Sequence, residues 1–190
     1  MSNDTAKIQV GQLEINVVHT ALYIVVMGLV TLPLLGLRIP PIMPYMWLLI
    51  FHELLAFMFV GHTLFSNIWA MKIRLSPHYE MGVIARAFLR KMAFGITFPT
   101  SILVPVFGLM LVEDSWGGFD EAPWARDAYI GFWLIWALNI APDLIRYARD
   151  EHAANPRAGV KWAAIRGGAS TVITVVIIIV MVIKESILPV

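Results

Sequence analysis

The chain contains no cysteine in its 190 residues. That excludes disulfides, thiolate metal sites, iron–sulfur clusters and covalent attachment of a c-type haem. Charge is also scarce: Asp, Glu, Lys and Arg together make up 14% of the residues, against 59% hydrophobic. With a mean hydropathy of +0.75, this is not the composition of a water-soluble domain. The net charge is +1, from 14 Lys and Arg against 13 Asp and Glu. No basic excess points to a nucleic-acid partner. The N-terminal stretch has no basic region ahead of an apolar core and no small-residue cleavage site, so no signal peptide is expected.

What the chain does have is long uncharged runs. At 1.5 Å per residue, about 20 apolar residues cross a hydrocarbon layer of about 30 Å. Five spans are expected, at about 17–37, 45–71, 92–112, 128–145 and 167–183, forming a single all-α membrane bundle over residues 1–190. The expected solvent is therefore the lipid bilayer. Lys and Arg of short loops stay on the cytoplasmic side. In a five-span chain with the N-terminus inside, eleven basic residues are cytoplasmic and only Arg38, Arg126 and Lys184 are outside. The acidic third connection, with Glu113, Asp114, Asp120, Glu121 and Asp127, and with Trp116 and Trp124, then lies at the outer face. This is the pattern of a multi-pass protein of the bacterial inner membrane. Residues 74–90 form the longest polar connection. Met81, Ile84, Ala85 and Phe88 in it suggest a short amphipathic helix lying in the interface.

An ionisable side chain inside a span is a functional candidate, because lipid offers it no partner. Three histidines qualify: His19, His52 and His62. Measured along their helices, His19 lies about 3 Å inside the inner boundary and His62 within about 5 Å of the same boundary, so the two share a level. His52 lies about 10 Å below the outer face, roughly 15 Å from His62 along the axis. On the second span His52, Ala56, Thr63 and Ser66 fall on one stripe of small or polar side chains, as expected of a face packed on other helices. Leu54 and Phe65 point elsewhere. Glu53 sits about 100° round from His52, flanking the interior or facing a neighbouring subunit. Two neutral imidazoles at one depth can hold the iron of a b-type haem. His19, His52 and His62 are therefore the candidate cofactor and metal ligands, with Asn139 and Asp143 as groups able to orient an imidazole. The competing reading is that the histidines only join helices by hydrogen bonds. His78 and His152 lie in charged loops and are expected to be solvated. The ten Met are scattered and make no copper path.

The run Phe51-His52-Glu53-Leu54-Leu55-Ala56-Phe57-Met58-Phe59-Val60-Gly61-His62-Thr63, continuing to Trp69 and Arg74, resembles the first helix of a group of small bacterial membrane proteins. In that group a Leu-His or similar pair opens the helix, a glycine follows about nine residues later and a basic residue closes it. The group includes copper-resistance-D-like proteins, membrane-bound protoporphyrinogen oxidases and predicted integral membrane proteins. The resemblance covers chiefly residues 48–112. It implies a four-helix unit made of the second to fifth spans, and a haem-binding role at His52. The flanking basic and paired-histidine features of the oxidases are missing, which leaves open whether the chain is an enzyme. The functions expected are electron transfer or haem handling by a b-type haem protein. The alternatives are an accessory subunit packed into a larger membrane complex or a homo-oligomer, and a small transporter or copper-uptake element.

Overall fold

The computed structural model describes residues 17–75, 84–85, 88–89, 91–140, 142 and 160–188, without side chains at 17–20, 74, 140, 160 and 163. Among the described residues every regular element is helical. Helix α1 is Val17–Thr31, continued by a 3₁₀ turn at Leu32–Leu35 that stops at Gly36. Gly36 takes φ +87°, a left-handed conformation that glycine adopts without strain. Helix α2 is Tyr45–Leu75. Helix α3 is Phe98–Trp116, entered through a π-helical turn at Ala93–Thr97 and closed by Gly117 at φ +77°. Helix α4 is Pro123–Ile135, running into a second π-helical turn at Trp136–Ile140. Helix α5 is Val160–Ile183.

Three stretches are long and apolar enough to cross a membrane: Tyr45–Ile73, Ala93–Trp116 and Ala164–Ile183. The apolar part of α1, Ala21–Leu35, is shorter. Helix ends differ from the expected spans where charges and prolines lie. α3 continues four residues past Val112, through Glu113 and Asp114, because charged residues end the apolar run without ending the helix. α4 starts five residues before Ala128, at Pro123, whose fixed φ and missing N–H suit a first helical position. The expected interfacial helix over 74–90 falls mostly outside the described residues, as do Asp143, His78 and His152.

The helices alternate in direction. Opposite numbering pairs α2 with α3, where Phe51 stacks on Phe107 and His62 meets Thr97. The same holds for α4 and α5, where Gly131 lies against Ile177 and Asn139 against Ser170. α1 runs parallel to α3, with Tyr23 beside Ser101 and Val30 in one cluster with Leu109. One apolar cluster draws on all five helices: Tyr23 and Met27 of α1, Phe59 of α2, Phe98 of α3, Phe132 of α4 and Ile173 of α5. The bundle thus has one core rather than two separate hairpins.

The end of the bundle where α1, α3 and α5 finish and α4 starts carries the paired charges. Arg38 donates to Glu113 at 3.2 Å, an exposed pair worth little stability. Trp116 and Trp124 meet edge to face at 5.2 Å, and the Lys184 ammonium lies 4.8 Å from the Trp116 ring. Asp127, only 6% exposed, accepts from the Ser186 hydroxyl and from the Ile187 and Leu188 amides at 2.7 to 3.0 Å. That carboxylate fastens the segment after α5 onto the start of α4.

Candidate functional site

The inward stripe of α2 follows from the helical period. His52 is buried, Ala56, Thr63 and Ser66 are half-buried, and Leu54 and Phe65 are exposed. His52 is 9% exposed, and its ring lies directly on Gly108 of α3. A Cβ at position 108 would come within 2.9 Å of Cε1 and 3.2 Å of Nδ1, so only glycine leaves room for the imidazole. Nδ1 is 3.1 Å from the Val104 carbonyl oxygen. A carbonyl can only accept, so Nδ1 carries the proton and Nε2 holds the lone pair.

His62, two to three turns further along α2, is half-buried and bonds through Nδ1 to the Thr97 hydroxyl at 2.7 Å. Thr97 closes the π-helical turn before α3. The two histidines therefore lie at separate levels, and each is tied to α3. Ten residues apart on one helix, about 15 Å along its axis, they cannot share one iron. His19 lies on α1 one turn before Tyr23, and Tyr23 packs with Phe59, which lies nearly one turn from His62 on the same side. The backbone thus keeps His19 near the level of His62. The side chain of His19 is outside the described residues, and with it one member of the expected ligand pair.

A haem iron needs a neutral imidazole nitrogen, usually on a histidine whose other nitrogen donates to a carbonyl or carboxylate. His52 fits that requirement as a single axial ligand, with Nδ1 on Val104 and Nε2 free of a proton. Among the described residues no group of three or more His, Asp or Glu is gathered as a metal site. The Asn139 amide donates to the Ser170 hydroxyl on α5. The Ser170 carbonyl in turn accepts from Thr174 at 2.8 Å.

A polar chain that sequence reasoning missed crosses the core. Trp136 Nε1 donates to the Tyr23 hydroxyl at 2.8 Å, and Tyr23 and Ser101 hydroxyls are 2.9 Å apart. Ser101 gives its one proton to the Phe98 carbonyl at 2.7 Å, so Tyr23 must donate to Ser101. Three helices are linked in a single direction, from α4 through α1 to α3. The available signal was Tyr23, the lone aromatic side chain of the first span apart from His19. Its partners lie 78 and 113 residues away, and no local pattern names them.

The outward side of α2 carries a second exceptional residue. Glu53 is the only Asp, Glu, Lys or Arg within the described parts of the five expected spans, apart from those at their ends, and it is exposed. It belongs to neither of the ion pairs found among the described residues, Arg38 with Glu113 and Arg126 with Asp127. Eight residues past Tyr45, it lies about 12 Å along the helix. A charge at the centre of a membrane helix costs roughly 2.5–3.5 kcal/mol on insertion scales, so an outward carboxylate calls for a function. Comparisons with protein-family models, with curated proteins and with solved structures return no match to this chain.

Proposed function

We propose that the protein is a multi-pass subunit without catalytic activity of its own, packed into a larger membrane assembly. One observation carries this reading: His52 is engaged through a ring nitrogen by α3 and His62 by the π-helical turn that leads into it, while the one carboxylate at membrane depth among the described residues faces out of the bundle. Imidazoles used this way fix the register of α2 on α3, and the outward carboxylate awaits a neighbour. Extraction in a mild detergent followed by native mass measurement tests it. The expected mass exceeds the 21.3 kDa of the chain by the mass of at least one other polypeptide. A lone chain in its detergent shell contradicts the reading.

The proposed arrangement has five spans in the bacterial inner membrane, with the N-terminus inside and the C-terminus outside. The alternating helix directions and the distribution of basic residues support it. A phosphatase reporter fused after residue 80 is expected to be inactive, and one fused after residue 118 active. The reverse pattern contradicts the orientation.

A second reading is a b-type haem protein with His52 as axial ligand, in electron transfer or haem handling. It is supported by the proton placement on Nδ1, which leaves Nε2 available, and by the resemblance of residues 48–112 to the copper-resistance-D-like and protoporphyrinogen-oxidase-like group. Haem, when bound, would supply one-electron chemistry, and this chain's part would be to orient the imidazole through Val104 and Gly108. Haem content per mole of purified protein, compared with that of His52→Ala, separates the two readings.

A further inference from the structure

The outward faces of the helices are not alike. On α1 the exposed large side chains include Leu22, Val25 and Leu29, and on α5, past Trp162 in its first turn, Val172, Val175 and Ile179. These aliphatic faces suit lipid chains. On α2 the exposed side chains include Phe57, Phe65 and Trp69 beside aliphatic ones such as Ile50, Leu54 and Ile68, and Glu53 and Gly61 lie about one turn to either side of Phe57. At 100° per residue Glu53, Phe57 and Gly61 fall within about 80° of one another, on one face. A Cβ built on Gly61 meets nothing within 4 Å, so the glycine serves no contact inside the bundle. Aromatic side chains are enriched at protein interfaces, and small residues admit the close approach of a second helix. A carboxylate at that depth is stabilised by a cation brought to it, because lipid offers none.

We propose that this face of α2 docks a transmembrane helix of a different polypeptide, one that places a single Lys or Arg opposite Glu53. The proposal rests on the accessory-subunit reading and names the chemistry of its partner. A second copy of this chain is the wrong occupant. Among the described residues its spans hold only Lys72 and Arg166, both toward the other end of the bundle: Gly167 lies against Asn67, 14 residues or about 21 Å past Glu53 along α2. Of its outer cations, Arg38 and Arg126 already face Glu113 and Asp127, and Lys184 lies over the Trp116 and Trp124 rings.

Photo-crosslinking of the full chain in its native membranes tests the proposal. A benzophenone amino acid is placed at Phe57 on α2, and separately at Ile179 on α5, each with Glu53 intact and with Glu53→Gln. The expected result is an adduct from position 57 to another polypeptide whose crosslinked span contains one Lys or Arg, reduced at least tenfold by Glu53→Gln. Exchanging the charges, with Glu53→Lys here and Glu at the partner's basic position, is expected to restore the adduct even if Glu53→Gln lowers the yield of folded protein. An adduct to a second copy of this chain overturns the proposal. So does an adduct to a span without a basic residue, or one that Glu53→Gln leaves unchanged. A large native mass with adducts only from position 179 overturns the α2 site and leaves the accessory reading standing. A single-chain mass with no adduct from either position overturns both.

Discussion

The α2–α3 seam and the α4–α5 seam are built on the same device and filled with different chemistry. Each brings two antiparallel helices together over a glycine. On α3, Gly108 sits under the ring of His52. On α4, Gly131 sits under Ile177, where a Cβ would come within 2.9 Å of Cγ1. An aliphatic chain over a glycine needs only shape, whereas an imidazole there also needs an acceptor, which the Val104 carbonyl provides. The α4–α5 seam places its polar groups away from the glycine, in Asn139 with Ser170 at one end and Asp127 with residues 186–188 at the other. The contrast teaches that a close approach of helices is a packing requirement in one seam and a means of holding an imidazole in the other.

The sharpest way to break the contrast is to overfill the aliphatic seam. Gly131→Leu is expected to destabilise the protein by about 3 kcal/mol, since Ile177 and Ile173 both lie in the path of the new side chain. Thermal unfolding in detergent measures it. Next, His52→Ala is expected to cost about 2 kcal/mol, combining a lost interhelical bond with the space left on Gly108. Gly108→Ala, which pushes the ring off Val104, should cost less in the His52→Ala background than in the wild type, with a coupling of about 1 kcal/mol. Gly131→Ala and His52→Ala, in separate seams, should add.

Asp127 sharpens the comparison through pH. Burial raises its carboxyl, but the Ser186 hydroxyl, the Leu188 and Ile187 amides and Arg126 outweigh that and hold it below the ordinary carboxylate value. A lowered value in the folded state contributes stability above the unfolded value of about 3.9, lost as the pH falls through the folded one. Unfolding temperature is therefore expected to fall below about pH 4, and Asp127→Asn to remove part of that dependence while costing about 1.5 kcal/mol near neutrality. The smallest effect is expected at His62→Ala, about 0.6 kcal/mol, because the half-exposed ring loses one interhelical bond and little packing.

Helical period alone was enough to read the orientation of α2. His52 is inward and Leu54 and Phe65 outward because 100° per residue leaves no other arrangement once one face is known. The separation of His52 and His62 into two levels was legible for the same reason. Which neighbour each ring meets was not, since Val104 and Thr97 lie 52 and 35 residues away. A glycine in a span announces small size without naming the side chain above it, so Gly108 and Gly131 gave no hint of His52 and Ile177. The π-helical turns at Ala93–Thr97 and Trp136–Ile140 were also hidden. Pro99, just after the first, is compatible with a local break in a helix without giving its form, and Thr100 and Ser101 donate to the Ile96 and Phe98 carbonyls beside it. Asp127 read as one more acid in an acidic loop, because its partners follow a helix that ends 56 residues later.

The proposed function turns most on His52 and His62 serving as ties between α2 and the segment of α3 and its entry turn, rather than as haem ligands. The visible spectrum of the full chain, purified after expression with haem supplied, tests it most directly when read beside that of His52→Ala. No Soret absorption in proportion to protein is expected from either, with the variant distinguished only by its lower unfolding temperature. A stoichiometric Soret band in the wild type would contradict the claim, and its loss in His52→Ala would make His52 a haem ligand.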